Sequence, residues 1–155
     1  MSRKIFLIGL PGSGKTTMGL ELGLHLTLPF IDLDQEIEKE TKQSVGSIFE
    51  EKGEAHFRQL EKWHLQKSVD SVPSFVMATG GGTPCFFDNL ELMKAAGETV
   101  YINTGVETIK ERLEMDSTRP LMNNNSLEDL LTRREHFYTD AKYQVTTLSD
   151  LIQLF

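Results

Sequence analysis

The chain of 155 residues contains a single cysteine, Cys85, and no long apolar run. One cysteine excludes an internal disulfide framework and fits a reducing compartment. No apolar stretch approaches the roughly 20 residues that a membrane-spanning helix needs, and the N-terminus shows no signal-peptide pattern. We therefore expect a cytoplasmic protein with no membrane partner.

Positive charge is also scarce. The chain has 16 Lys and Arg residues against 23 Asp and Glu residues, which gives a formal net charge of -7. An acidic surface disfavours nucleic acid as the main partner, because nucleic acid is itself negatively charged. Phosphorylated small molecules remain open as partners, because locally placed arginines can bind them. The length predicts one domain over residues 1–155, and we expect a monomer.

Strand-like apolar runs alternate with helical patterns along the chain, which predicts a parallel sheet covered by helices on both faces. The predicted strands cover residues 5–8, 30–33, 74–79, 99–103 and 143–146. The predicted helices cover residues 15–26, 34–40, 47–51, 54–68, 88–95, 106–115 and 127–140. Asp88 and Ser126 are candidate N-caps. The residues from Asp150 onward suit only the beginning of a helix.

The segment between the first predicted strand and helix carries the strongest motif. Gly9, Gly14, Lys15 and Thr16 satisfy the phosphate-loop pattern G-x-x-x-x-G-K-[ST]. Its glycines let backbone N–H groups surround an anion, and the helix dipole adds to the attraction. In such a loop the lysine reaches the β- and γ-phosphates and the threonine hydroxyl can bind Mg²⁺. The alternative is a structural glycine-rich turn.

Two carboxylates, Asp32 and Asp34, follow the second predicted strand. If the chain stays extended there, both side chains project to the same side. The strand over residues 74–79 has no aspartate at its end, so Asp32 is the best candidate for a magnesium carboxylate, and Asp34 could face a substrate hydroxyl. The alternative is that one of them simply caps the next helix.

Three further clusters each have a functional and a structural interpretation. Arg58 and Glu61 stand three residues apart on a predicted helix, which suits an arginine held for a carboxylate ligand, but a surface ion pair has the same spacing. Glycines 80–82 either bring backbone amides close to a ligand or form a flexible turn. Arg134 and Tyr138 share one helix face, which could either belong to a binding site or simply face solvent.

A long connection lies between residues 115 and 127, where helical periodicity fails. Long loops in compact domains are often lids, and Arg119 in such a lid could neutralise charge during phosphoryl transfer. The alternative is a disordered surface loop.

The motifs GLPGSGKTT, DLD, GEAHFRQLE, GGG, RPLM and RREHFY occur in this order, and the chain resembles shikimate kinase from about residue 5 to residue 145. The resemblance implies transfer of the γ-phosphoryl group of MgATP to the 3-hydroxyl of shikimate, in aromatic amino-acid biosynthesis. It also implies an α/β P-loop fold of the nucleoside monophosphate kinase type. That fold has a five-stranded parallel sheet of order 2-3-1-4-5, a lid at about 115–127 and a substrate-binding region at about 33–61.

The resemblance also implies residue roles. Lys15, Asp34 and Arg119 would be catalytic, with Asp34 a candidate acceptor for the hydroxyl proton. Thr16 would bind Mg²⁺, Asp32 would hold the ion through water, and Glu61 would position Arg58. The nucleotide would contact Gly12, Ser13, Gly14, Lys15, Thr16, Thr17, Arg112 and Arg119, with Arg112 stacked on adenine. Shikimate would contact Asp34, Arg58, Gly80, Gly81, Gly82 and Arg134, the two arginines holding its carboxylate.

The chain departs from the family near its end, because residues 146–149 carry no cation where the family usually has a basic residue beside adenine. Two other functions stay open. One is a different small-molecule kinase of the same fold, such as gluconate kinase, whose substrate also has a carboxylate. The other is a nucleotide-binding regulatory module without catalysis, although Lys15, Asp34 and Arg119 argue against it.

Overall fold

The structure is a computed structural model that describes residues 2–115 and 124–155, with no side-chain description for residues 124–126. Arg119 and most of the predicted lid therefore lie outside the described residues. Five strands are present: β1 (Lys4–Ile8), β2 (Phe30–Asp32), β3 (Phe75–Ala78), β4 (Glu98–Ile102) and β5 (Tyr143–Val145). The first four helices are α1 (Lys15–Leu26), α2 (Leu33–Thr41), α3 (Val45–Lys52) and α4 (Glu54–Ser71). The others are α5 (Asn89–Ala96), α6 (Val106–Met115), α7 (Asn124–Tyr138) and α8 (Leu148–Leu154), with a 3₁₀ turn at Thr83–Cys85.

The strands form one parallel sheet in the order β2-β3-β1-β4-β5, as predicted. The central strand β1 is buried on both faces because its residues are apolar in succession. Phe6 and Ile8 point to one hydrophobic core, which α2 to α7 help to cover. Ile5 and Leu7 point to the other core, which α1 and α8 cover. The two-residue period of a strand thus divides one apolar run between two cores.

The parallel arrangement brings the carboxyl ends of β1, β2 and β3 to the same edge of the sheet. The phosphate-loop residues follow β1, Asp32 ends β2, and glycines 80–82 follow β3 after Thr79. Ligands bind at this edge in open parallel sheets. Within residues 2–115 and 124–155, no helix is both long enough and apolar enough to cross a membrane.

Two local predictions were wrong, and a third was confirmed in its position. The C-terminal residues form a helix from Leu148, because the Thr147 hydroxyl accepts a hydrogen bond from the Asp150 backbone N–H at 3.1 Å and so caps it. Ser126 lies inside α7, which begins at Asn124, and is not its N-cap. Asp88 does stand at the N-cap of α5, but its side chain makes no capping hydrogen bond.

Candidate active site

A cavity of about 720 Å³ opens at the carboxyl edge of the sheet. Its lining combines the phosphate loop, both predicted aspartates and the start of the glycine turn. The lining residues are Pro11, Gly12, Gly14, Lys15, Thr16, Thr17, Met18, Asp32, Asp34, Thr79, Gly80, Gly81, Arg112, Leu113 and Leu148. Most of the predicted nucleotide and substrate residues of the described chain line this cavity. Ser13, Arg58, Gly82 and Arg134 do not line it, although Arg58 and Arg134 lie beside the glycine turn.

The phosphate loop turns into α1 at Gly14, whose φ of 100° lies in the left-handed region that favours glycine. The loop is supported from the segment that follows β4, because the Thr104 hydroxyl donates to the Ser13 carbonyl at 2.7 Å. Both Ser13 and Thr104 are buried. The loop is therefore held in shape by the protein itself.

Lys15 is only 7% exposed and is bonded to its own loop. Its Nζ donates to the carbonyl oxygens of Gly9 and Leu10, both at 2.8 Å, and lies 3.4 Å from the Ser13 hydroxyl. Lys15 is therefore part of the loop's own hydrogen-bonded structure. The positive charge of the Lys15 ammonium group is stabilised by the two carbonyl oxygens that it binds. The side chain also lines the cavity.

Asp32 joins the nucleotide loop to α2. Its Oδ2 accepts a hydrogen bond from the Thr16 hydroxyl at 2.9 Å, and its Oδ1 accepts one from the Gln35 backbone N–H at 3.1 Å. The capping interpretation of Asp32 is therefore confirmed, and its magnesium role stays a prediction. The extended geometry expected through Asp34 was wrong, because the capped helix already begins at Leu33.

Asp34 lies in the first turn of α2 and faces the cavity. Its Oδ1 is buried and has no hydrogen-bond partner among the described residues. Burial raises the pKa of Asp34 to about 6, the carboxylates of Glu61 and Asp32 add to the increase, and Lys15 opposes it. A carboxylate of this basicity can accept a proton near neutral pH.

Arg58 is held by two carboxylates on its own helix. Its Nη1 donates to Glu61 Oε1 at 2.9 Å, as the spacing predicted, and its Nη2 donates to Glu54 Oε2 at 3.2 Å. The guanidinium carbon lies 4.1 Å from the centre of the Phe86 ring. Arg58 is only 6% exposed, so the interpretation as a surface ion pair was wrong.

Glycines 80–82 pass between these groups with no room for a side chain. A β-carbon on Gly80 would lie 3.0 Å from Asp34 Oδ1, and one on Gly82 would lie 2.6 Å from the Arg58 guanidinium. A β-carbon on Gly81 would lie 3.1 Å from Arg134 Nη1. Successive residues of one turn therefore lie beside the three charged groups that the resemblance assigned to the substrate.

Tyr138 fixes this turn to α7, as its hydroxyl donates to the Gly81 carbonyl at 2.6 Å. Arg134 lies one helical turn earlier on the same face and contacts the same glycine. The Cys85 thiol is nearby, and burial raises its pKa to about 11. A thiol this weakly acidic is a poor nucleophile at neutral pH.

Arg112 and Leu148 border the part of the cavity beside the phosphate loop. Arg112 Nη1 donates to the Gly12 carbonyl at 3.2 Å, so the guanidinium already contacts the loop. Leu148 offers an apolar surface where the sequence lacks the expected cation. Within the described residues, no cluster of three or more His, Cys, Asp or Glu side chains could hold a metal ion.

Two contacts of the site were not predicted. Glu54 binds Arg58 at a spacing of four residues on α4, a signal present in the sequence. Thr83 donates its hydroxyl to Glu61 Oε2 at 2.8 Å across 22 residues of chain. No local spacing indicates that second contact, because it depends on how the turn at Thr83–Cys85 packs beside α4.

Comparison with known proteins identifies the family that this chain is similar to. The sequence model of the shikimate kinase family matches residues 11–153. A shikimate kinase of Azobacteroides pseudotrichonymphae is 42% identical over 97% of this chain and 96% of its own length.

Two solved structures are similar throughout. The shikimate kinase of Bacteroides thetaiotaomicron superposes with a TM-score of 0.89 at 35% identity, covering 99% of this chain and 96% of the other. The shikimate kinase of Acinetobacter baumannii, in complex with shikimate, gives a TM-score of 0.89 at 36% identity, covering 99% and 90%. The fold predicted from the sequence is confirmed.

Proposed function

This chain belongs to the shikimate kinase family, and from that premise we propose that it transfers the γ-phosphoryl group of ATP to the 3-hydroxyl of shikimate. The observation that carries the proposal is the turn of glycines 80–82, which lies beside Asp34, Arg134 and Arg58 next to a phosphate loop. A phosphate loop alone would fit many nucleotide-binding proteins. Two guanidinium groups and one carboxylate around a single turn fit a small acceptor that has both a carboxylate and hydroxyl groups.

On the nucleotide side, backbone N–H groups of the loop from Gly12 to Thr17 bind the phosphates, and Arg112 lies against the adenine base. Lys15 moves its ammonium group toward the phosphate that is transferred. Arg119 acts on the same phosphate from a lid at about residues 115–127; that assignment rests on the sequence, since Arg119 lies outside the described residues. Positive charge on the transferring oxygens is the main source of catalysis in phosphoryl transfer.

Thr16 and Asp32 fit a magnesium ion. Their side-chain oxygens are 2.9 Å apart at the edge of the cavity, and hard oxygen ligands are those that Mg²⁺ prefers. Mg²⁺ is commonly held by one or two protein oxygens together with substrate phosphates and water, so two protein ligands suffice. A bound ion would neutralise part of the negative charge of the nucleotide phosphates.

On the acceptor side, Arg58 and Arg134 hold the shikimate carboxylate, and this fixes the ring relative to Asp34. Asp34 accepts the proton of the 3-hydroxyl as the oxygen attacks the γ-phosphorus and ADP leaves. Its raised pKa supports this role, because a carboxylate with a pKa of about 6 is a stronger base than an exposed one. The same carboxylate also orients the hydroxyl, and positioning contributes to the rate on its own.

We extend the proposal to the setting in which the protein works. A monomer in the cytoplasm, acting on ATP and shikimate without nucleic acid or membrane partners, agrees with the net charge of -7 and the single cysteine. It produces shikimate 3-phosphate for aromatic amino-acid synthesis.

The test is identification of the product. Purified protein is incubated with MgATP and shikimate, and the product is examined by mass spectrometry and by phosphorus–proton correlation NMR. We expect one added phosphate on the 3-hydroxyl, and no product from the Lys15→Ala variant. Phosphate on another hydroxyl, or an unchanged acceptor, would contradict the proposal.

A further inference from the structure

Glu61 is a buried carboxylate whose two oxygens are bound from opposite sides. Glu61 is 0% exposed. Its Oε1 accepts from Arg58 Nη1 at 2.9 Å, and its Oε2 accepts from the Thr83 hydroxyl at 2.8 Å. Arg58 comes from the same helix as Glu61, whereas Thr83 comes from the turn that follows β3. The carboxylate therefore connects the helix that carries the guanidinium to the turn that borders the cavity.

Thr83 is itself fixed in place. It is completely buried, and its backbone N–H donates to the Gly80 carbonyl at 3.1 Å. Its carbonyl accepts from Asn89 Nδ2 at 3.0 Å, and Asn89 is also completely buried. These bonds join the first turn of α5 to the glycine turn. The hydroxyl of Thr83 thus reaches Glu61 from a rigid position.

The other contacts of Arg58 do not set its orientation as firmly. The Glu54 side chain is 55% exposed, so its ion pair competes with water. The Phe86 ring supports one face of the guanidinium group but gives it no direction within its plane. The Glu61 carboxylate is the fully buried partner, and its own orientation depends on the bond to Thr83.

We propose that Thr83 is a positioning residue for acceptor binding: its hydroxyl fixes the Glu61 carboxylate, which in turn holds Arg58 in the orientation that binds the acceptor's carboxylate. This inference rests on the proposed function, because it needs Arg58 to contact the acceptor. Without the hydroxyl, one oxygen of a buried carboxylate loses its partner and the group turns to find another. The guanidinium group then turns with it, and the two parallel hydrogen bonds to a planar carboxylate are lost.

The experiment compares Thr83→Val, which has nearly the same shape without the hydroxyl, with Thr83→Ser, which keeps the hydroxyl. The matched control is Thr99→Val. Thr99 is also a buried threonine, and its hydroxyl accepts from the Lys142 backbone N–H at 3.0 Å near the beginning of β4, away from the site. The readouts are the KM for shikimate, the KM for ATP, kcat and the melting temperature.

We expect Thr83→Val to raise the shikimate KM about tenfold, which corresponds to about 1.4 kcal/mol, with the ATP KM unchanged. Thr83→Ser should restore the shikimate KM to within about threefold of the wild type. Thr99→Val should lower the melting temperature without changing either KM. If Thr83→Val does not fold, Thr83→Ala removes the same hydroxyl without adding a methyl group and is measured in the same way.

Three results would overturn the inference: a shikimate KM within twofold of wild type in Thr83→Val, an equal rise in both KM values, or a Thr83→Ser variant as weak as Thr83→Val. Failure of the proposed function is distinguishable, because the wild-type protein would then not phosphorylate shikimate at all.

Discussion

Replacing Asp34 by asparagine should make the protein more stable and less active. The folded protein raises the pKa of Asp34 from 3.8 to about 6, chiefly through burial. At pH 8 the Asp34 carboxyl group is ionised in both the folded and the unfolded state. Because the ionised form is less favourable in the folded protein, it lowers the free energy of unfolding. A difference of about two pKa units corresponds to at most about 3 kcal/mol.

The sign of the pH dependence follows from linkage. A raised pKa means that the folded state holds the proton more tightly, so the free energy of unfolding falls as the pH rises from about 4 to about 6. The neutral amide of asparagine does not titrate and avoids this loss. The stabilisation by Asp34→Asn should therefore approach about 3 kcal/mol at pH 8 and shrink to about 0.5 kcal/mol at pH 4.

Activity should change in the opposite direction. Asparagine cannot accept the hydroxyl proton, and loss of a general base typically lowers kcat by about 10²- to 10⁴-fold. In the wild type, kcat/KM for shikimate should fall as the pH is lowered through about 6, because protonated Asp34 is inactive.

The assay is urea unfolding of both proteins at pH 4 and pH 8, together with steady-state kinetics. Asp70→Asn is the matched control, because Asp70 is an exposed carboxylate that accepts a hydrogen bond from Gln66 Nε2. We expect this substitution to change the free energy of unfolding by less than about 0.5 kcal/mol at either pH. A stability change in Asp34→Asn that is equal at both pH values, or a destabilisation at pH 8, would refute the reasoning from burial.

Four further variants test the binding groups. Arg58→Lys and Arg134→Lys should each raise the KM for shikimate at least tenfold with little change for ATP, because an ammonium group cannot form two parallel hydrogen bonds to a carboxylate; an equal loss of ATP affinity would contradict this. Asp32→Asn should raise the Mg²⁺ concentration needed for half-maximal rate, and added Mg²⁺ should partly restore kcat; no shift in the Mg²⁺ titration would count against a metal role. Gly82→Ala should displace the Arg58 guanidinium and weaken shikimate binding in a calorimetric titration about tenfold or more. Gly105→Ala, with open space around its α-carbon, is the control and should bind normally.

The sequence was sufficient for the fold because the fold depends on repeated local patterns. The apolar run of β1 and the alternation of strands with helices predicted a covered parallel sheet, and the motif order supplied its strand order. The predicted start of a helix was wrong where a single polar side chain determines it. Asp32 ends β2 and begins α2 at once, because it accepts the Gln35 N–H, and Thr147 begins α8 in the same way.

The site was predictable in composition but not in its tertiary contacts. Arg58 and Glu61 lie on one helix, so their spacing was enough to pair them. The contact of Thr83 with Glu61 and the support of Ser13 by Thr104 join distant segments, and no local pattern encodes them. The burial of Lys15 was missed for a related reason, since it depends on how the loop folds back on its own carbonyl groups.

Acceptor specificity is the central claim, and it is tested most directly by a coupled ADP-release assay with shikimate and gluconate in parallel. Both acceptors have a carboxylate and hydroxyl groups, so charge alone does not separate them. The arrangement of Asp34, Arg58 and Arg134 around one glycine turn predicts rapid, Mg²⁺-dependent ADP release with shikimate and only background release with gluconate. Faster release with gluconate, or background release with both acceptors from protein that still binds ATP, would contradict the account.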